Sequence, residues 1–188
     1  MQPLYISDPC YFPPVSILEA AVKNANWNWC DIDQYRKHSF RNACYILTAQ
    51  GRKLLSVPVR KGKSLQLTRD VLISYDEAWQ LKHLRALQTA YGNTTFFPHF
   101  IDDLTLILEA KPKYLLDLNL SIVHWLLNIP KYRKICFSLE DHMPEGHINL
   151  PLDRRNYEMI KVEPYVQLFS VDNFQNNLSI LDKLFQAW

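Results

Sequence analysis

Apolar and polar positions alternate along this chain in two rhythms, and the changes between them mark its elements. Leu4-Tyr5-Ile6 predicts a short opening strand. Asp8 to Pro14 carries Pro9, Pro13 and Pro14 and predicts a stiff turn, because proline fixes φ and favours extended backbone before it. Ile17, Leu18, Ala21 and Val22 fall at helical spacing within Val15 to Asn24, and Trp27 to Asp33 reads as a second strand. Cys44 to Thr48 and Leu54 to Val59 flank Gln50-Gly51-Arg52 and predict a hairpin, with a further strand at Val71-Leu72-Ile73. Ser74 with Glu77 three residues later forms a capping-box pattern for a helix that reaches Tyr91 and stops at Gly92. That helix has two stripes, one of Leu81, Leu84, Leu87 and Tyr91, the other of Trp79, His83, Ala86 and Ala90.

Pro98 suits the first turn of the next helix, whose apolar positions are Phe100, Leu104, Ile107 and Leu108 and which ends before Pro112. A third helix runs from Leu115 to Ile129 and closes at Pro130. Lys134 to Leu139 is a predicted strand and Glu140 to Tyr157 a long loop. Tyr165 to Ser170 reads as a last strand and Leu178 to Phe185 as a last helix. This order predicts an α/β fold, a layered mixed sheet with flanking helices in a single domain over 1–188; α+β with the helices on one face is the alternative.

Composition narrows the function classes. The 188 residues bury roughly 70% of the surface of the unfolded chain, so no disulfide or metal staple is required. With four glycines, no GxGxxG and no GxxxxGK[ST] can be written, which excludes glycine-rich phosphate loops. Polar residues interrupt the apolar stretch from Leu115 to Ile129, and it is short for a span of about 20 residues, so no transmembrane segment is expected. Met1 to Ser7 shows no secretory pattern. Cys10, Cys30, Cys44 and Cys136 are widely spaced, as expected of reduced thiols in a cytoplasmic protein. The spacing of His142 and His147, without cysteine partners, does not support a zinc site. Composition names no cofactor and sets no oligomeric state.

Charge changes the picture more. The net charge of +2 hides eleven Lys/Arg against three Asp/Glu in residues 36–85, with the acids concentrated elsewhere. Such a split points to an anionic, phosphate-containing small molecule met by one face, although the same charges can simply solvate strands and loops. Within this segment Lys37, Arg41 and Asn42 lie close together after a predicted strand. Arginine offers a planar fork matched to phosphate, and lysine a point charge. Pinning the loop is an equal alternative for Arg41 and Asn42. Ligands of open α/β sheets gather beyond the carboxyl ends of strands, so the Tyr11-to-Pro14 turn, with Tyr11 and Pro13, is expected to meet this stretch around a shared cavity. The N-terminus of the Val15 helix would then face the anion. Lys61 is a further phosphate candidate. His83, one turn after Trp79, is a candidate general base, and Arg85 a source of charge stabilisation; a core histidine bonded to a carbonyl is the alternative for His83. Asp102 and Asp103 near a helix start are read chiefly as favouring its dipole. Nucleic-acid binding is disfavoured because most aromatic residues occupy core-like positions.

Four stretches together resemble the WbqC-like family, especially its Bacteroidetes branch. Tyr11-Phe12-Pro13-Pro14 is like the family's HQPxYFPW or YFGP turn. Tyr35 to Cys44, with Gly51 and Leu55-Ser56-Val57-Pro58-Val59, is similar to "YxKxSxRNRC…G…LSVPV". Trp79 to Ala86, with Tyr91 and Phe96-Phe97, looks like "WxxxHxRS…AY…FF". Tyr165 to Phe169, with Asn177 to Asp182, is close to "YxQxF…NLSILDLLF". This chain has Ser7 and Asp8 where family members have His or Gln, and Ala43 where they have a second arginine. The resemblance implies a role in bacterial surface glycan (O-antigen) synthesis. It leaves two expectations open: a transferase acting on an activated or nucleotide-linked group, with Lys37, Arg41 and Lys61 on phosphate and His83 as base, or a non-catalytic module that binds an anionic glycan intermediate or a partner enzyme.

Overall fold

The computed structural model describes residues 5–32, 34–62, 65–142, 148–149, 154, 160–169 and 173–186. Strand β1 (Tyr5–Ser7), helix α1 (Val15–Asn24) and strand β2 (Asn26–Cys30) form a βαβ unit, and β1 and β2 pair in parallel. Two more parallel strands, β5 (Cys136–Glu140) and β6 (Ile148–Asn149), complete the order β5-β2-β1-β6. The middle strand β2 is buried along Trp27 to Cys30, as expected of a parallel strand covered on both faces. Trp27, Trp29 and Phe137 meet edge-on at 5.3 to 5.9 Å, an arrangement that aligns ring edges with ring faces.

Hairpin β3 (Ala43–Thr48) and β4 (Gly51–Ser56) is a separate antiparallel ladder. The α/β layout with parallel and antiparallel pairing is therefore present, divided between two ladders. Gly51 has φ +97° after the Ala49-Gln50 turn, a conformation that strains residues with a Cβ. Helices α2 (Trp79–Tyr91), α3 (Phe97–Glu109) and α4 (Leu115–Asn128) follow a 3-10 turn at Thr68–Asp70. The C-terminal helix α5 (Ile180–Gln186) brings Phe185 against Tyr91, Phe97 and Phe100 at ring distances of 4.9, 5.2 and 6.3 Å.

Several local expectations are corrected. The capping box does not form. Ser74 Oγ donates to Asp76 instead, Glu77 pairs with Lys82, and α2 starts at Trp79 after Ala78 with no side-chain cap. The stripe of Trp79, His83, Ala86 and Ala90 is buried together with Leu87 and Tyr91, whereas Leu81 faces solvent. Residues 71–73 make only isolated bridges, Leu72 to Tyr114 and Ile73 to Val59. The expected loop after Glu140 contains β6. Residues 165–169 are not a strand, and Ser170 lies outside the described residues, as does His147.

Candidate functional site

The two segments expected to converge do so, but in the core. The Tyr11 N–H donates to Phe40 O at 2.9 Å, which ties the loop after β1 to the loop after β2. Tyr11, Phe12 and Pro13 are buried, and Phe12 holds φ 44°, a left-handed conformation unusual for a bulky residue. Arg41 is fully buried and its Nη2 donates to Asp8 Oδ1 at 2.7 Å. Asn42 Nδ2 donates to Val57 O at 2.9 Å and holds the hairpin to the strand exit. The N-terminus of α1 does not face an anion. Its Ser16 N–H donates to Asn177 Oδ1 at 3.0 Å, and its Val15 N–H to Leu178 O at 2.9 Å. Ser7 and Asp8 have internal partners too: Ser7 Oγ accepts from the Trp27 indole at 3.0 Å, and Asp8 holds Arg41.

The remaining candidates divide between two surface grooves that meet at Leu54 and Ser56 of β4. The first, about 850 Å³, contains Lys37 and Lys61, with the Asn42 side chain at its edge. Sequence reasoning missed its other cations, Arg60 and Arg154, and the His38 imidazole. Arg60 was detectable as the neighbour of Lys61. Arg154 comes from the distant acidic part of the chain, and no local pattern announces it. Its Nη2 lies 2.9 Å from His38 Nδ1; a guanidinium can only donate, so Nδ1 accepts and the imidazole carries its proton on Nε2. Among the described residues the Arg154 Nε is buried with no hydrogen-bond partner. Tyr35 forms part of the wall. Burial raises its hydroxyl pKa, and the guanidiniums of Arg41 and Arg154 pull it the other way. No described residue lining this groove is a carboxylate.

The second groove, about 640 Å³, lies between β4 and α2 and holds Trp79, His83 and Arg85 together with Lys53, Lys82 and Glu77. Trp79 and His83, one helical turn apart, pack edge to face at 5.2 Å, and the Trp79 indole donates to Ser74 O at 3.1 Å. His83 Nδ1 sits 2.9 Å from the Tyr11 hydroxyl. Burial lowers the His83 pKa to about 4. A backbone hydrogen bond with Ser56 opposes this, as a carbonyl accepting from the ring would, and the Lys53 charge adds to the lowering. The imidazole is thus neutral at pH 7, with Nδ1 held against the Tyr11 hydroxyl. Asp103 accepts from the Trp125 indole at 3.2 Å, away from both grooves.

The His83 environment has a measurable consequence. In the unfolded chain the ring takes up a proton near pH 6.5, and in the folded protein only near pH 4. The unfolded state therefore binds more protons between these values, and stability falls as pH drops through that window, by up to roughly 3 kcal/mol. Urea unfolding at pH 7 and pH 4.5 should show this loss, and His83→Gln should reduce it.

The features together define an α/β protein with two cation-bearing grooves that meet on an edge strand. The chain belongs to the WbqC-like protein family, whose model matches residues 8–142. No curated protein and no solved structure matches it. Most residues of both grooves fall within the matched segment; Arg154 and Phe169 lie beyond it. No helix among the described residues is long and apolar enough to cross a membrane.

Proposed function

We propose that the protein binds a phosphate-bearing small molecule of the nucleotide-linked sugar class in the 850 Å³ groove, as a transferase of bacterial surface glycan synthesis in the cytoplasm. The observation that carries this reading is the groove's lining: Lys37, Arg60, Lys61 and Arg154 without an opposing carboxylate among the described residues. Such a set suits a diphosphate, because the guanidiniums offer fixed forks and the lysines mobile charges. Transfer from a nucleotide-linked group to an acceptor hydroxyl breaks the bond to the diphosphate, whose charge these cations stabilise as it leaves and takes up the hydroxyl proton. Arg41 and Tyr11 act beneath the groove by holding the loops. His83 is a positioning residue that fixes Tyr11.

The second reading, a non-catalytic module that binds an anionic glycan intermediate, is favoured by one observation: the His83 ring is buried and its Nδ1 already meets the Tyr11 hydroxyl. A thermal-shift series with uridine diphosphate, UDP-glucose, GDP-mannose and uridine tests the binding shared by both readings. The diphosphates should stabilise the protein by about 2.7 kcal/mol at 100 times their Kd, and uridine should not. The double variant Arg60→Ala/Lys61→Ala should abolish the shift while keeping the unliganded melting temperature. Equal shifts with uridine, or shifts retained in the variant, would refute the phosphate assignment. Release of nucleoside diphosphate on turnover then separates transferase from module.

A further inference from the structure

Strand β4 has a free edge, and the register shows which of its backbone groups lie on it. Val57 N–H donates to Asn42 O at 2.9 Å, in line with the pairing of Ala43 with Ser56 and Cys44 with Leu55. Antiparallel parity then turns the N–H and C=O of Lys53 and Leu55 toward β3, and those of Leu54 and Ser56 outward. The outer edge of β3 obeys the same parity. Tyr45 O accepts from Ser179 N–H at 2.9 Å, and Leu47 N–H donates to the Tyr91 hydroxyl at 3.0 Å. Among the described residues nothing takes the N–H or C=O of Leu54, or the N–H of Ser56. Both residues line the groove whose opposite wall is α2.

We propose that the groove between β4 and α2 accepts an extended acidic peptide segment as a third strand of the β3-β4 ladder. An added strand repeats the donor and acceptor spacing that the Leu54 and Ser56 edge presents, and alternate side chains of the added strand reach the two sides of the groove. Charge selects the occupant. Lys53, Lys82 and Arg85 border the groove, and its carboxylate, Glu77, is paired with Lys82 at 2.5 Å. Lysine on an edge strand discourages pairing with a neutral or basic strand, and the same charge favours an acidic one. Leu54, 39% exposed, offers an apolar contact to alternate residues of the segment. This site shares Leu54 and Ser56 with the phosphate groove, but its cations Lys53, Lys82 and Arg85 line only the groove against α2, so it does not depend on phosphate binding.

The test uses the full chain and three capped hexapeptides in which valine alternates with glutamate, glutamine or lysine. Calorimetry should show the glutamate peptide binding about tenfold more tightly than the glutamine peptide, and the lysine peptide not binding. The glutamate peptide should slow hydrogen exchange at the Leu54 amide. N-methylation of its alternate amides should abolish binding. Leu54→Pro removes one outward N–H on an edge strand, where proline is tolerated, and should also abolish binding. If that variant does not fold, the N-methylated peptide decides alone. The proposal is overturned if no peptide binds at millimolar concentration, if affinity ignores charge, if N-methylation leaves binding intact, or if Leu54 exchange is unchanged in the complex.

Discussion

Asp8→Ala should destabilise the protein by about 3–5 kcal/mol, a large share of the roughly 5–15 kcal/mol that holds a domain of this size together. The reason lies with the partner. Arg41 has no exposed surface, and Asp8 Oδ1 accepts from its guanidinium at 2.7 Å. Removing the carboxylate takes from a buried cation the counter-charge that Asp8 supplies, and a guanidinium cannot shed its proton to escape that cost. The Arg41 backbone is held as well: its carbonyl accepts from Asn119 of α4 at 2.8 Å, and its N–H contacts Ser39 Oγ of the same loop at 3.3 Å. Because desolvation offsets much of an ion pair's attraction, the double change Asp8→Ala/Arg41→Met should recover most of the loss. Denaturant midpoints of the single and double variants check this. Equal destabilisation in both would show that something other than the buried charge of Arg41 sets the loss, since the Arg41 backbone contacts to Asn119 and Ser39 persist in both variants.

Asp182→Ala should cost a comparable amount, roughly 3 kcal/mol or more, for a different reason. This fully buried carboxylate accepts from the Tyr91 hydroxyl at 2.6 Å, the Tyr165 hydroxyl at 2.8 Å, Gln186 Nε2 at 2.9 Å and Gln167 Nε2 at 3.2 Å. It thereby joins α5 to α2 and to the segment before α5. Alanine would take this acceptor from the Tyr91 and Tyr165 hydroxyls in the interior, while Gln167 Nε2 keeps Gln175 O at 2.9 Å. Desolvation nevertheless raises the Asp182 pKa above its ordinary value, and the four hydrogen bonds offset only part of that. A carboxyl raised in the folded state contributes stability that is complete below its unfolded pKa and declines as pH rises through the folded one. Asp182→Asn keeps an acceptor and removes the charge. It should lose less than alanine, and its relative stability should improve as pH rises from 4 to 7. Its sign is opposite to that of His83, so the wild-type slope reflects the two together.

How far the sequence could be read depended on how local each cause was. The three middle helices were legible because their apolar spacing extends over three or more turns, and Pro98 lies in the first turn of α3 as its fixed φ allows. The hairpin was legible from Gly51 between two apolar runs. Residues 165–169 show why a period of two can mislead. Tyr165, Gln167 and Phe169 do turn inward and Val166 and Leu168 outward, but the inward central residue is the polar Gln167, while Val166 is 72% and Leu168 53% exposed. The network around Asp182, not a partner strand, sets that conformation. At the candidate site, the cationic segment was visible in composition but its division was not. Arg41 went to the core because Asp8, thirty-three residues earlier, accepts it there. Lys37 and Lys61 went to one groove, and Trp79, His83 and Arg85 to the other, because β4 runs between them. The Leu54 edge depends on pairing parity, which becomes readable only once the register is known.

The phosphate reading is met most directly by a crystal structure of the protein with uridine diphosphate. The account predicts the diphosphate in the 850 Å³ groove, within hydrogen-bond distance of Arg60 and Lys61 and with Arg154 or Lys37 on its second phosphate. A diphosphate bound against α2 at Lys82 and Arg85, with the basic groove empty, would contradict it.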